Sequence, residues 1–546
     1  MGTGAERLRK RRVLNQSTKS IGWYVAATLA IATTSSTTAA AQAPQDLQPS
    51  WTYSSGTEGW IPETVSIGND GTRVFTAYGT FGSSSQLFSD SAATIASDEQ
   101  VQLSFHHRVD SSSSGVRRAW LHYSSPDPYT AALAELRVYA ADSSQTQFTY
   151  TFPFTTQQLR FGGVDTSESG SRVSAWAYDN LSGNTSVVVF DGASSTPTVS
   201  VDVPTYMEPS EGKVSKNGER LYLGTGTKTF LVDLSTGQVT HAGYNTFSAG
   251  NGHALSPDGL MYARGTSANG LKIMQVQGQS QSTWYTHTIE GEYACSRMAF
   301  SGDGTLLAAT FDGYVDRAVK LIVLDLTQST PTVVYEHEVQ GAGTLGLVSS
   351  DLEVNQDGSR IFVGTWGEET QTVPEVLIHS KNASGSWTYS HFIDLPGSTR
   401  DLDIDPTGDR LAVASKTIHA SLFGGGGRYD QFMLSESEGT GLRLVGTPTA
   451  GGSIEVRVSC PPDKTGLLLA SDNLATTPTN FGDTGRLFLE RSGLQFLSRT
   501  TENGSGELVF TLSLATASAG DTIHVQGLVF GPRRLSPGAL TIEVTD

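Results

Sequence analysis

Three aspartates separated by single apolar residues, Asp401-Leu402-Asp403-Ile404-Asp405, with Asp409 following, make the densest acidic pattern in the chain. Alternate residues of a β-strand share a face. The three carboxylates would therefore project together, leaving Leu402 and Ile404 for the buried side. Asp351-Leu352-Glu353-Val354 repeats the theme one unit earlier. Carboxylates gathered in this way could hold a cation or polar ligand, or move protons in a hydrolysis. With Glu211 and Arg297 at equivalent places in other units, the candidate ligand-binding residues are Asp351, Asp401, Asp403, Glu211 and Arg297. The plainer reading is that these groups are solvated or paired between neighbouring units.

Other chemistry finds little support. The Asp-Gly turns lack the Asp-x-Asp-x-Asp-Gly spacing that wraps calcium, and turn formation accounts for them. There is no G-x-S-x-G elbow, no H-E-x-x-H, no phosphate-binding loop and no sialidase-type Asp box. The eleven histidines are scattered, with His106-His107 the one adjacent pair. Neighbouring strand residues point to opposite faces, so that pair could not chelate one ion together. No catalytic residue, metal ligand set or cofactor is expected. The two cysteines, Cys295 and Cys460, fall in different expected domains and are either two buried thiols or a long-range disulfide.

The elements that would position these residues recur along the chain. Short turns end at Gly71, Gly115, Gly170, Gly218, Gly259, Gly304, Gly358 and Gly408, each followed by a run that reads as a strand. The spacings between them, 41 to 55 residues counted along the sequence, match a four-stranded propeller blade. Six of the eight have arginine two places later: Arg73, Arg117, Arg172, Arg220, Arg360 and Arg410. Apolar runs such as Leu221-Tyr222-Leu223 follow as second strands. Third strands (Val187 to Phe190, Leu321 to Leu324) and often aromatic outer strands (Phe148 to Tyr150, Trp387 to Tyr389) complete most units. The expected fold is all-β, an eight-bladed propeller with seven blades as the alternative, the unit at Gly115 having the least typical turn. Ser50-Trp51-Thr52-Tyr53-Ser54 matches Ser386-Trp387-Thr388-Tyr389-Ser390, and the last repeat lacks a fourth strand of its own. The N-terminal strand should supply it and close the ring, which removes exposed sheet edges.

Composition sets further bounds. Of 546 residues, 37% are hydrophobic and 16% charged, with 59 glycines, which suits folded domains rich in turns and strands. A basic start through Arg7, Arg9, Lys10, Arg11 and Arg12 precedes an apolar stretch and small residues to Ala43, so residues 1–43 read as a signal peptide. The stretch is short for a spanning helix. Without it the net charge moves from −18 to −23, six basic residues and one acidic being removed. Such acidity disfavours nucleic acid and anionic membranes. Residues 44–438 hold the repeats; residues 439–546 show short alternating strands and read as a small β-sandwich.

Turns such as Leu255-Ser256-Pro257-Asp258-Gly259 and Phe300-Ser301-Gly302-Asp303-Gly304 resemble those of secreted bacterial propellers of the WD40-like and YVTN type, a group that includes lactonase-like proteins. The resemblance covers roughly residues 60–435 and implies a blade, not a reaction. Gly446 to Gly452 leading into Ile454-Glu455-Val456, with Gly520 to Gly527 later, is similar to a β-sandwich module found at the ends of secreted bacterial proteins, which implies an accessory domain. The resulting expectation is an exported, monomeric, non-catalytic protein that binds a protein, glycan or small polar ligand. A lactonase-like or other hydrolase acting through channel acids is the alternative.

Overall fold

The computed structural model describes residues 44–544, apart from 48, 55–60, 69–72, 80–82, 90–91, 102–103, 113–115, 125–131, 141–144, 157–161, 207–208, 226–227, 245–251, 267–268, 314–316, 342–346, 368–372, 383–384, 421–425, 435–441, 446–448, 460–464, 472–473, 481–485, 490–493, 502–506, 515–520, 531–533 and 536–539. The expected signal peptide, the turn glycines Gly71 and Gly115, Cys460 and the 438/439 domain junction therefore lie outside the described residues.

Each turn expected from the sequence and described in the structure is an antiparallel hairpin. In the unit at Gly218 the glycine N–H bonds the Ser215 carbonyl at 2.7 Å and Gly218 takes φ +71°, a conformation that a side chain would oppose. The strand that follows begins at the repeated arginine, as in Arg172–Asp179, Arg220–Thr225, Arg360–Thr365 and Arg410–Lys416. Such second strands are buried on both faces, and Leu221, Tyr222 and Leu223 are fully covered. This explains their continuous apolar character, where an exposed strand would alternate.

Among the described residues the hairpins assemble into eight sheets in chain order, seven of four strands and one of five, and the protein is an all-β propeller. The first strands, in order, are Ile61–Ile67, Ser104–Ser111, Gly162–Thr166, Pro209–Val214, His253–Leu255, Tyr293–Phe300, Ser349–Val354 and Thr399–Ile404, which we number as sheets 1 to 8. Each first strand lies beside that of the next sheet, and Thr399–Ile404 of sheet 8 lies beside Ile61–Ile67 of sheet 1. The apolar cores form between sheets: Ala263 and Ile273 of sheet 5 pack with Leu307, Ile322 and Leu324 of sheet 6.

The outer strand of sheet 8 is Trp51–Ser54, paired antiparallel with Gly427–Met433 so that Trp51 faces Gln431 across the ladder. Just before it, Gln45–Asp46 adds to sheet 7 parallel to Trp387–Ile393. Residues 45–46 and 51–54 are thus built into two sheets; the match between Trp51 and Trp387 implied the pairing with the last repeat, while the parallel addition to sheet 7 was not expected.

The C-terminal strands form a three-stranded sheet (Leu442–Val445, Ser453–Ser459, Glu507–Ser513) and a five-stranded one centred on Thr465–Ser471 and Thr522–Phe530. Ile454, Val456 and Phe510 of the first share one core with Leu468, Val525 and Ile542 of the second. Cys295 is buried in the sheet 5 and sheet 6 core.

Candidate functional site

The candidate acids sit on the first strands because of a register that repeats from sheet to sheet. An irregularity in the ladder comes just before Thr64, Arg108, Glu211, Arg297, Asp351 and Asp401. Each of these residues stands seven places before its turn glycine. Five places before a turn glycine stand Ser66, Asp110, Asp165, Lys213, Glu353 and Asp403, with Ala299 at this place in the unit of Arg297 and Gly163 two residues before Asp165. Asp351, Asp401, Glu211 and Arg297 are therefore equivalently placed, as expected. The side chain of Glu211 lies outside the described residues.

These side chains meet across the seams between first strands. Asp401 Oδ2 accepts the Val65 N–H at 2.7 Å, and Asp403 Oδ2 accepts the Ile67 N–H at 2.7 Å and the Ser66 hydroxyl at 3.0 Å. Asp351 Oδ2 accepts the Leu402 N–H at 2.8 Å. Asp110 Oδ2 takes the Thr166 N–H at 2.6 Å and its hydroxyl at 2.5 Å, and Asp165 Oδ2 takes the Val214 N–H at 2.9 Å. Between sheets 1 and 2 a serine substitutes: Ser66 Oγ accepts the Ser111 N–H at 3.0 Å. In every case the side chain of one sheet satisfies a backbone donor of the following one, which an edge strand would otherwise leave without a partner.

The electrostatics follow from crowding. Burial raises Asp401 to about 8, with Asp351 adding to the shift, and raises Asp403 to about 7, with Asp110 adding. Asp110 is raised to about 8 by burial and then by Asp165, and Asp165 to about 6, again mainly by burial. Glu353 goes well above the ordinary carboxylate range through burial, opposed by Lys213 and reinforced by Asp351, Asp403 and Asp401. Lys213 also favours ionisation of Asp110 and Asp165, so its ammonium serves acids from three sheets. Arg297 Nε donates to the Ser350 carbonyl at 2.6 Å, beside Asp351. The wall is thus mixed in charge and acidic on balance.

Asp405 does not belong to it. The strand ends at Ile404, and Asp405 is a turn residue whose Oδ1 accepts the Arg410 N–H at 3.1 Å and whose Oδ2 accepts the Thr407 hydroxyl at 2.9 Å. Ser167, Ser215, Ser256, Ser301 and Asn355 fill the same position, each accepting the N–H five residues on.

The repeated arginines also have a function in the ring. Arg172 Nη1 donates to the Gly218 carbonyl at 2.7 Å, Arg360 Nη1 to the Gly408 carbonyl at 3.0 Å, and Arg117 Nη1 to the Gly170 carbonyl. Each therefore clasps the turn of the following sheet. In sheet 6 Leu306 takes the arginine's place and packs against Gly358. Lys216 of the sheet 4 turn reaches Gln356 of the sheet 7 turn, Nζ to Oε1 2.9 Å, passing over Gly302 of sheet 6. A Cβ at Gly302 would collide with both partners. This pair crosses the turn side of the first strands.

Sequence reasoning missed Asp110, Asp165, Lys213 and Arg108. The signal was present: counting back seven and five residues from every turn glycine finds them, whereas local acidic density singles out only the units at Gly358 and Gly408. No cluster of three or more His, Cys, Asp or Glu side chains able to hold a metal occurs among the described residues.

No family model matches the chain, and no curated protein matches it. Among solved structures it is similar to the C-terminal WD40 domain of Sif2, at 11% identity over 71% of this chain and 99% of that one, with a TM-score of 0.47. It is also similar to the β-propeller domain of Myceliophteria thermophila Cps50 (Swd1), at 12% identity over 71% and 99% of the two chains, with a TM-score of 0.41. Likeness of this degree says nothing about activity or partners.

Proposed function

We propose that this is an exported, non-catalytic binding protein: an eight-bladed propeller ring closed by its N-terminal strand, followed by an accessory C-terminal β-sandwich. Its ligand is a protein segment, a glycan or a small polar molecule, bound at the channel mouth away from the glycine turns. The observation that carries this reading is the engagement of Asp351, Asp401 and Asp403 by backbone N–H groups of adjoining strands. Acids held in this way fasten the ring and line it with fixed polar groups, and they are poorly placed to attack a substrate. The mixed set of Asp351, Asp401, Asp403 and Arg297, with Glu211 in register, suits a ligand that carries polar groups of both signs.

The hydrolase alternative draws on one observation, the carboxyls raised toward neutrality, because such groups can serve as general acids. Peptide and glycan arrays probed with the full chain and with its Asp401→Asn/Asp403→Asn variant test the binding reading. Binding that weakens in the variant supports it. Equal binding by both proteins moves the site to outer loops or the C-terminal domain.

A further inference from the structure

The outer strands of sheets 5, 6 and 7 each carry Tyr-x-His: Tyr285-Thr286-His287, Tyr335-Glu336-His337 and Tyr389-Ser390-His391. Between sheets 6 and 7 these rings join His379, on Val376–Lys381, in one aromatic cluster. The His337 and His379 rings meet edge-on with centroids 4.9 Å apart, and Tyr389 lies 5.0 Å from the first and 5.3 Å from the second. Tyr335 stacks on Trp387 at 5.8 Å. His379 is 0% exposed; its Nδ1 pairs with the Tyr335 hydroxyl at 3.1 Å, and its Nε2 has no hydrogen-bond partner.

Among the described residues, no carboxylate favours charge on His337 or His379. Glu336 and Glu338 of the sheet 6 outer strand turn to Lys320, at 3.5 and 3.9 Å. From sheet 7, the Lys381 ammonium sits over the Trp387 ring at 5.1 Å and Arg360 acts on His391. Asp46, on the added parallel strand, acts on the Tyr389 hydroxyl. The preceding seam differs, because there Glu336 favours charge on His287.

We infer that the seam between sheets 6 and 7 is an acid-operated hinge, in which protonation of His337 and His379 parts the outer strands while the first strands stay joined. Two imidazolium rings about 5 Å apart in an aromatic wall would repel each other and lack solvation. Burial already lowers His337, and burial together with His337 lowers His379 well below the ordinary imidazole range. A histidine depressed in the folded state favours the closed seam above its unfolded value, about 6.5, and that support is lost as pH falls. The first strands are held independently, by Arg297 to the Ser350 carbonyl at 2.6 Å and by Asp312 Oδ1 to the Ser349 N–H at 3.1 Å.

Amide hydrogen exchange of the full chain at about pH 7 and about pH 5, corrected for intrinsic rates, tests the inference. Segments 332–340 and 387–393 should lose about tenfold protection at the lower pH, with 349–354 unchanged. His337→Gln should remove most of that loss, and His379→Phe, which keeps the ring volume, should remove the remainder. If the second variant does not fold, the first alone decides. Unchanged protection in the outer strands, uniform loss across all eight sheets, or full acid sensitivity in His337→Gln would each overturn the hinge.

Discussion

Asp403 accepts the backbone N–H of Ile67 at 2.7 Å, joining the first strand of the last sheet to that of the first. Removing this acceptor leaves a crowded N–H without a partner. Asp403→Ala should therefore destabilise the propeller by roughly 1–3 kcal/mol. Asp403→Asn, which keeps an acceptor oxygen, should cost much less. Chemical denaturation of both variants at neutral pH measures the difference, and equal losses would deny the bond its role.

The same acids set a pH dependence. Asp110 and Asp401 near 8, Asp403 near 7 and Asp165 near 6 all lie above their unfolded value, so the folded state binds the extra protons. Their contribution is greatest below about pH 4 and declines as pH rises through 6 to 8. Asp401→Asn/Asp403→Asn should flatten that decline, so that the double variant gains on the parent as the medium becomes alkaline. Melting temperatures across this range, with the parent falling no faster than the variant, would contradict the assignment.

Deleting residues 44–56 removes the outer strand of sheet 8 and the parallel addition to sheet 7. Trp51 is buried against the Ala412, Ala414 and Tyr429 cluster, so apolar surface and a strand edge are both exposed. A fall in melting temperature of several degrees is expected. An unchanged melting curve would mean that the strand contributes nothing.

Arg172→Met keeps much of the side-chain length but loses the donor to the Gly218 carbonyl, and should cost roughly 0.5–1.5 kcal/mol. Leu306, which stands at the corresponding position in sheet 6, shows that an apolar residue can pack there. Denaturation midpoints for Arg172→Met and Arg172→Lys distinguish packing from bonding: a lysine as weak as the methionine implicates the fork of the guanidinium.

Much of the fold was legible because turn chemistry is local. Gly218 and Gly259 require positive φ wherever they sit, and the apolar run after Arg220 announces a strand buried on both faces. The wall was only partly legible, because a carboxylate such as Asp110 gains its meaning from Thr166, a residue in another sheet. Local density drew attention to Asp401 and Asp403 and wrongly included Asp405, which the chain's turn removes from the strand. The role of Arg172 was likewise hidden: its spacing marks a register, but its partner Gly218 belongs to the next repeat. In the C-terminal region, Gln495–Thr501 lacks a regular apolar alternation, and Phe496 is 70% exposed. Nothing in its pattern singled it out as a strand.

The central claim, that the acidic wall binds and fastens without catalysing, is tested most directly by turnover. The purified chain and its Asp401→Asn/Asp403→Asn variant can be assayed side by side against lactone, ester and glycoside substrates. The account predicts no turnover that depends on the two aspartates. Hydrolysis by the parent that disappears in a folded double variant would contradict it and establish the wall as an active site.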